Sequence, residues 1–389
     1  MIYLAATDLD GTLFRYHSVP PDDFWDVVEA MNRKGCTLAI ASGRSYGPLA
    51  DLFGENADKL SYICDNGACV VHNGKIIHES IFERELVDAL SDALLAINKN
   101  RVGQDRMEII LCGKNGTYSL DRGDNATEGL ARYYDTRTDT EKLTAVEDVI
   151  YKFAVFDPLD PTTGTVAALQ AQFDCFTYQV SGKHSLDIMK KGTDKGVGLQ
   201  MLAKIKGASK EEIAVFGDYF NDLALFDAAG MSFCMENGHP DVKMKADYIA
   251  PSCKDDGVTE LLKRLCELIP KSDGRVTHPA DRLMQVHRNK AGGEGHVDIE
   301  PLLNDAQKNG TTKLFARVSI PRGSSLGYHE HHGETESYYI LSGVGEYNDN
   351  GKTVKVKAGD VTHTPDGCGH GIVNIGDTDL IFIAFIQKS

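Results

Sequence analysis

The chain has no long hydrophobic run. Nowhere among its 389 residues is there a stretch of about 18 uninterrupted apolar residues, the length that a membrane-spanning helix needs. The opening apolar run, residues 2–6, has no basic leader, is too short for the core of a signal peptide, and is soon followed by Asp8. We therefore expect no membrane partner and a cytoplasmic location.

The sequence also lacks CxxC pairs and an excess of positive charge. Its nine cysteines are an odd number, and Cys64 and Cys69 do not have the spacing of a metal site, so reduced thiols are the simplest interpretation. The formal net charge is -16 at pH 7. Nucleic acids and anionic membranes would repel such a chain, and we expect no nucleic-acid partner. A local basic pocket for one phosphate is compatible with this charge.

The composition is that of a globular protein, with 42% hydrophobic and 25% charged residues. At about 150 residues per domain, the length predicts two or three domains. The first half alternates apolar runs with helical stretches, which is typical of a parallel sheet covered on both faces. Polar or glycine-containing loops follow each run, and such loops lie where ligands bind in open α/β sheets. The predicted buried strands are residues 2–6, 38–41, 62–64 and 213–216.

The pattern changes twice farther along the chain. Between about residues 79 and 185, mixed strands and helices indicate an inserted domain. Residues 271–274, Lys-Ser-Asp-Gly, suit a linker. Beyond them, short β runs alternate with turns such as Asn-Asp-Asn-Gly at 348–351, a strong hairpin signal typical of a barrel or sandwich. The predicted division is a core at 1–80 and 186–268, an inserted domain at 81–185, a linker at 269–285 and a barrel at 286–389.

Four loops carry residue types that suit phosphoryl transfer. Residues 8–13, Asp-Leu-Asp-Gly-Thr-Leu, place two carboxylates two positions apart, and Gly11 lets the chain turn tightly. Residues 41–44, Ala-Ser-Gly-Arg, offer a hydroxyl and backbone N–H groups to phosphate oxygens. Lys195 begins a helix, and residues 216–222, Phe-Gly-Asp-Tyr-Phe-Asn-Asp, add two more acids. Singly, each has a structural explanation, such as an Asp-rich turn, a helix N-cap or a solvated lysine. Together and in order, they favour one site.

With these motifs in order, residues 1–268 resemble the Cof-type, sugar-phosphatase-like branch of the haloacid dehalogenase (HAD) superfamily. Residues 64–68, Cys-Asp-Asn-Gly-Ala, also resemble a stretch of that branch, whereas Met-Glu-Asn-Gly at 235–238 departs mildly from its usual Asn-Ala. The resemblance implies an α/β fold: a Rossmann-like HAD core with a parallel sheet and an inserted α/β cap. It also implies a phosphatase acting on a small phosphorylated metabolite, with a sugar phosphate as the expected class.

The resemblance further implies a role for each motif residue. Asp8 would be the nucleophile that forms an aspartyl-phosphate, and Asp10 the general acid and base. A carboxylate approaching a phosphate ester needs a cation to offset their repulsion, and Asp8, the Asp10 backbone carbonyl and Asp218 would bind Mg²⁺. Asp222 would orient a metal-bound water or Lys195. The expected phosphate-binding set is Asp8, Gly11, Thr12, Ser42, Gly43, Arg44, Lys195 and Asn221.

Two blocks near the C-terminal end have the spacing of the two cupin motifs, so this segment resembles an all-β cupin barrel, a jelly roll. His329 and His331 are two positions apart, which places both on one face of a strand. The resemblance implies a site for a divalent transition metal, Mn, Fe, Ni, Cu or Zn, formed by three histidines and one carboxylate. The blocks comprise Gly323, His329, His331, Glu336 and Gly343, then Gly359, Pro365, Gly367, His370 and Asn374, and the implied ligands are His329, His331, Glu336 and His370.

Several alternatives stay open for the barrel. Its polar interior could hold no metal, and the nearby His332, His363 and Glu334 are predicted to be surface groups or partners of the ligands. The barrel could be catalytic, as an isomerase, epimerase or dioxygenase acting on the same metabolite. It could instead bind a sugar-like ligand and hold the phosphatase in a homodimer. Fold resemblance alone does not choose among these functions.

Overall fold

The computed structural model describes residues 2–15, 19–120, 134, 137–162, 164–268, 276–277, 279, 282–304 and 307–389. The described chain forms two compact units, Met1–Met231 and Ser232–Ser389. The predicted linker segment 271–274 lies outside the described residues. No helix in the described ranges is long and apolar enough to cross a membrane.

The first unit contains a twisted sheet whose inner strands are parallel and wholly buried, as expected for strands covered on both faces. An antiparallel hairpin forms one edge. All four predicted buried strands are confirmed, with bounds shifted by one or two residues. In spatial order the strands are β12 (Ile213–Gly217), β1 (Leu4–Thr7), β2 (Thr37–Ala41), β3 (Ser61–Cys64), β4 (Cys69–His72) and β5 (Lys75–Glu79).

Amphipathic helices accompany this sheet. In the first of them, Phe24, Val27, Val28 and Met31 are buried, and this spacing of three and four residues defines one apolar face. Asp194 caps the helix that begins at Lys195, because its side chain accepts a hydrogen bond from the N–H of Val197. The helices are α1 (Phe24–Arg33), α2 (Tyr46–Phe53), α5 (Lys195–Lys206) and α6 (Leu223–Ala228).

A second sheet of the first unit is formed by strands between residues 108 and 190. Its spatial order is β10 (Phe176–Gly182), β11 (Ser185–Lys190), β9 (Ile150–Phe156), β6 (Glu108–Gly113), β7 (Thr117–Leu120) and β8 (Thr138–Thr140). Helices α3 (Arg84–Lys99) and α4 (Thr165–Gln170) pack on one face, where Phe153 and Val155 join the core. Because side chains alternate along a strand, Lys152 and Ala154 point to the opposite face.

The second unit begins with β13 (Met231–Met235), α7 (Pro240–Lys243), β14 (Tyr248–Ala250) and α8 (Gly257–Leu265). Two antiparallel sheets follow, and their inner faces share one apolar core that includes Val297, Tyr338, Ile372 and Phe382. This is the all-β barrel expected of a cupin. The first sheet has β15 (Met284–Arg288), β16 (His296–Pro301), β17 (Thr312–Ile320), β24 (Leu380–Lys388), β19 (Glu334–Ser342) and β22 (Val361–Thr364); the second has β18 (Ser325–Glu330), β23 (Gly369–Asn374), β20 (Val344–Asp349) and β21 (Lys352–Lys357).

The predicted hairpin at 348–351 is confirmed. Asn350 and Gly351 have φ values of 48° and 94° and connect β20 to β21, as expected of a two-residue turn with positive φ at both positions. Short 3-10 helices lie at Gly54–Lys59, Asp65–Gly67, Gly103–Asp105, Leu143–Ala145, Lys210–Glu212, Phe220–Asp222, Cys253–Asp255 and Lys290–Gly292.

Candidate active site and candidate metal centre

The motif residues of the first unit meet at the carboxyl ends of its parallel strands. Asp8 follows β1, Ser42 follows β2 and Asp218 follows β12, while Lys195 opens helix α5. Lys195 is fully buried, and its Nζ donates hydrogen bonds of 2.7 Å to Asp8 Oδ1 and to Asp222 Oδ1. The ammonium therefore joins two carboxylates that come from different loops.

Asp222 also organises the loop that follows β12. Its second oxygen, Oδ2, accepts hydrogen bonds from the N–H groups of Asp218 and Tyr219 at 3.0 and 3.3 Å. Asp222 is fully buried, so it contacts Lys195 with one oxygen and the loop backbone with the other. Asn221, in the same loop, lines the cavity described below.

The turn after β1 is shaped to approach Asp218 closely. Gly11 has a φ of +84°, and a Cβ there would lie 2.5 Å from Asp218 Oδ2. Only glycine suits such a position, because it lacks the Cβ and tolerates positive φ. Thr12 Oγ1 donates a hydrogen bond of 3.1 Å to Asp218 Oδ1. The turn thus holds the Asp218 carboxylate beside Asp8.

Asp10 and the loop after β2 complete this group of residues. The Asp10 side chain is about half exposed and pairs with Arg44, whose Nη2 donates to Asp10 Oδ2 at 2.8 Å. Ser42 is buried, and its Oγ accepts from the Arg44 N–H at 3.2 Å. Gly43 lies between them at the cavity wall. Every residue predicted for this site is therefore in the same region of the first unit.

Most of these residues line a cavity of about 300 Å³. One wall comprises Asp8, Asp10, Ser42, Gly43, Arg44, Asp218, Tyr219 and Asn221. The facing wall comes from Tyr134 and from the second sheet of the first unit. That sheet contributes Lys152, Ala154, Val155, Ser185, Leu186 and Asp187. A space lined by several convergent charged groups is suited to a small ionic ligand.

The carboxylates of this cavity are crowded. Burial, together with Asp222 and Asp218 and against the opposing effect of Lys195, raises the pKa of Asp8 to about 8. Burial and Asp222 raise the pKa of Asp218 to about 7. Ligand oxygens of Asp8, Asp218 and Asp222 all lie within 4.8 Å of one another. Carboxylate oxygens are the ligands that Mg²⁺ prefers, and the local excess of negative charge fits a divalent cation.

A divalent cation such as Mg²⁺ at these carboxylates would therefore bind more weakly as the pH falls. The raised pKa values mean that protons compete with the cation for Asp8 and Asp218 below about pH 8, so the apparent Mg²⁺ dissociation constant should rise on the order of 100-fold between pH 8 and pH 6. Titration calorimetry at several pH values, in buffers of different ionisation enthalpy, measures both the affinity and the protons released. Equal affinity at pH 6 and pH 8 would contradict this charge distribution.

The barrel of the second unit holds another cluster. Glu336 Oε2 lies 3.6 Å from His329 Nε2, 3.2 Å from His331 Nε2 and 2.7 Å from His370 Nε2. Burial alone would raise the pKa of Glu336, but hydrogen bonds from His329 and His370 outweigh it and lower the pKa to about 2. The structure thus brings together the four residues that the sequence predicts as ligands.

The second nitrogen of each histidine has its own partner. His329 Nδ1 is 3.0 Å from Gly327 O, His331 Nδ1 is 3.1 Å from Glu334 Oε1, and His370 Nδ1 is 2.9 Å from Tyr347 OH. Such partners orient metal-binding histidines and leave the other nitrogen for the ion. This donor set fits a divalent transition metal. His332 and His363 have exposed contacts elsewhere, with Glu330 and Ser337.

Sequence reasoning missed the polar residues of the first unit's second sheet, which face the site around Asp8. Lys152 is a single cation within an otherwise apolar strand, Ile-Tyr-Lys-Phe-Ala-Val-Phe at 150–156, and it is buried. A charge in such a run was the available signal, because lysine is almost never fully buried without a partner. Asp187 and Tyr134 gave no comparable signal.

Comparison with known proteins identifies the family of each part of the chain. A family model for haloacid dehalogenase-like hydrolases matches residues 5–262, and one for the cupin domain matches residues 316–386. The chain is 32% identical over 268 residues to the 5-amino-6-(5-phospho-D-ribitylamino)uracil phosphatase YbjI of Escherichia coli (strain K12), which covers 68% of this chain and 96% of that protein.

Two further relatives match the two parts of the chain separately. Over 113 residues the chain is 50% identical to an oxalate-binding protein of Thermotoga maritima, covering 29% of this chain and 93% of that protein. The crystal structure of SMU.1108c from Streptococcus mutans UA159 covers 68% of this chain and 98% of its own, with a TM-score of 0.61 and 21% identity, which shows a shared fold. The chain belongs to the haloacid dehalogenase-like hydrolases, as a phosphatase of that family, and it also carries a cupin domain.

Proposed function

We propose that the chain hydrolyses a small phosphomonoester through an aspartyl-phosphate on Asp8. The observation that carries this proposal is the pair of 2.7 Å contacts from Lys195 to Asp8 and Asp222, at the wall of a polar cavity. Mg²⁺, held by Asp8, Asp218 and the Asp10 carbonyl, would supply the positive charge that lets one anion approach another. Lys195 supplies further positive charge from the protein itself.

Each protein group then has a defined task. Lys195 orients the Asp8 carboxylate, and Ser42 and the N–H groups of its loop would hold the phosphoryl oxygens. Asp10 would give a proton to the leaving oxygen and later accept one from the water that attacks phosphorus. Asp222 keeps Lys195 and the loop after β12 in place. The facing wall would exclude bulk water from the reaction.

We propose a phosphorylated sugar or sugar alcohol as the substrate. The Escherichia coli relative is named for 5-amino-6-(5-phospho-D-ribitylamino)uracil, whose ribityl phosphate belongs to this class. Polar and aromatic side chains of the cavity wall, including Arg44 and Tyr134, suit hydroxyl groups and a ring. A panel of sugar phosphates, sugar-alcohol phosphates and that compound, assayed for phosphate release with Mg²⁺ and with a chelator, tests this proposal. Release that persists without a divalent ion would reject the mechanism.

A second candidate function belongs to the barrel. We propose that His329, His331, Glu336 and His370 bind a divalent transition metal and that the ion binds a small oxygen ligand. The Thermotoga maritima relative is named for oxalate binding, and a dicarboxylate suits the positions that four protein ligands leave open. A catalytic barrel acting on a sugar and a sugar-binding module remain the competing proposals. Calorimetry with oxalate and with sugars, alongside a search for turnover products, separates the three.

The metal site makes a specific prediction. His331→Gln is expected to reduce metal retention by about 10-fold or more, because it removes one of the converging nitrogens and loosens Glu336. His363→Gln is the matched control, since His363 is exposed and contacts Ser337 instead. Elemental analysis of both purified variants provides the measurement. Equal metal content in the two variants would show that the cluster is not the binding site.

The domain division and assembly remain part of this proposal. We retain the predicted boundaries of core, cap, linker and barrel, a cytoplasmic location, and a homodimer that forms through the barrel. Exposed apolar side chains at Tyr339, Leu341 and Val361, on β19 and β22, support a protein contact on this sheet. Light scattering that shows a monomer at micromolar concentration would remove the dimer.

A further inference from the structure

Lys152 is a buried cation that the proposed chemistry does not use. It is 1% exposed and points from β9 to the face of the second sheet opposite helices α3 and α4. Burial favours the neutral amine, but Asp187 and other neighbours outweigh it and keep the pKa of Lys152 well above its usual range. The residue is therefore a charged group kept inside the protein, and such groups need a reason.

The ammonium group of Lys152 contacts three protein groups. Its Nζ donates to Gly43 O at 2.6 Å and to Tyr134 OH at 3.0 Å, and it lies 3.1 Å from Asp187 Oδ1. Two of its donors make hydrogen bonds, and the ion pair with Asp187 balances its charge. Although Lys152 lines the cavity, its role here is to hold other groups rather than to bind the substrate directly.

The Gly43 contact is one of three that fix the loop after β2. The carbonyl of Ser42 accepts from the Asn66 N–H at 3.1 Å, and that of Arg44 accepts from the Asp65 N–H at 3.0 Å. Lys152 holds the carbonyl between them. Three successive carbonyl oxygens are thus held on the side of β9 and the Asp65–Gly67 turn, which fixes the peptide planes of the loop.

Asp187 links the two ends of this network. Its Oδ1 faces Lys152, and its Oδ2 accepts from Asn66 Nδ2 at 2.8 Å. The Asn66 backbone in turn contacts Ser42. The second sheet therefore reaches the phosphate-binding loop by two routes, directly through Lys152 and indirectly through Asp187 and Asn66.

We propose that Lys152 is a positioning residue for phosphoryl transfer, which holds the Gly43 carbonyl so that the Ser42 hydroxyl and the loop N–H groups meet the phosphoryl oxygens. Asp187 balances its charge. This inference rests on the proposed phosphatase function and adds to it a requirement for the second sheet. Without Lys152, the loop keeps its two outer contacts and loses the central one.

A double variant separates positioning from simple stability. Lys152→Met alone leaves the buried Asp187 without a cation, which is itself destabilising. Lys152→Met combined with Asp187→Asn removes both charges, keeps an acceptor for Asn66 and leaves Gly43 O without its donor. We expect the double variant to unfold at nearly the wild-type temperature, while kcat/KM falls on the order of 30-fold and inorganic phosphate binds on the order of 10-fold more weakly.

Lys190→Met is the matched control, because Lys190 is a partly exposed lysine of the same sheet that pairs with Glu83 and does not line the cavity. Phosphate affinity, measured by calorimetry, should stay within about threefold of wild type in this control. A double variant with wild-type kcat/KM and phosphate affinity overturns the inference, and so does an equal loss in the control. If the double variant does not fold, Lys152→Met alone is compared in the same assays, and wild-type phosphate affinity there likewise overturns the inference. Phosphate binding is measured without turnover. If the wild type releases no phosphate from any ester but the double variant still binds phosphate more weakly, the phosphatase proposal fails while the positioning role stands.

Discussion

The Asp8→Asn variant is expected to lose phosphatase activity by about 10⁴-fold or more in kcat. An amide oxygen is a poor nucleophile, and it cannot accept the phosphoryl group to form an acyl phosphate. The substitution also removes one of the three crowded carboxylates around the proposed Mg²⁺ position. Phosphate release from the best substrate of the panel, measured at saturating Mg²⁺, gives the result directly.

The loss should be chemical rather than structural. Burial and neighbouring acids already disfavour the charged form of Asp8 and raise its pKa to about 8, so a neutral amide of the same shape fits the site. We expect an unchanged or slightly higher melting temperature for Asp8→Asn. Asp51→Asn, at an exposed position on α2, is the matched control and should retain full activity. An active Asp8→Asn variant would exclude Asp8 as the nucleophile.

The Lys195→Met variant is expected to lose both activity and stability. Lys195 is the hydrogen-bonded cation between Asp8 and the fully buried Asp222. Breaking a buried ion pair by removing one partner costs about 3 to 5 kcal/mol, because it leaves an uncompensated charge. We expect a loss of this size in the free energy of unfolding, and a fall in kcat of about 10³-fold because the phosphoryl group loses a positive neighbour.

Urea unfolding and steady-state kinetics measure the two effects of Lys195→Met. Lys204→Met lies on the same helix at an exposed position and controls for the change of residue type. Added Mg²⁺ should recover part of the lost stability, since a cation can partly offset the charge of Asp8 and Asp222. Wild-type stability in Lys195→Met would show that the carboxylates do not depend on this lysine.

The part of the active site that could be predicted from the sequence is the part set by local structure. Asp8, Ser42 and Asp218 each follow an apolar strand directly, so strand prediction alone places them at one edge of the sheet. Gly11 was interpretable for the same reason, because a tight turn after a strand needs a residue that tolerates positive φ.

The facing wall could not be predicted in this way. The position of Lys152 beside Asp187 depends on the pairing of β9 with β11, which joins Ala154 to Asp187 and Phe153 to Ile188. This register is set by contacts between segments about 30 positions apart in the sequence, and a shift of β9 by one residue would turn Lys152 to the other face, away from Asp187. The sequence of β9 shows that a lysine interrupts an apolar strand, but not which groups this lysine contacts.

In the barrel too, some site contacts could be predicted from local spacing and others depend on strand pairing. His329 and His331 could be placed on one face from their spacing alone, whereas the contact between His370 and Tyr347 arises from the pairing of β20 with β23. The sequence allows two interpretations of Glu334, a surface group or a partner of a metal ligand, because its contacts depend on side-chain direction. In the structure it accepts a hydrogen bond from Lys313 and lies 3.1 Å from His331 Nδ1.

Trapping of the covalent intermediate tests the central claim most directly. The enzyme is mixed with a radiolabelled phosphomonoester and Mg²⁺, quenched in acid within milliseconds, digested and analysed by mass spectrometry. We predict a phosphoryl group on Asp8, sensitive to hydroxylamine and formed at least as fast as phosphate is released. Burst-phase phosphate release with label on another residue, or steady release with no labelled peptide, would contradict the proposed mechanism.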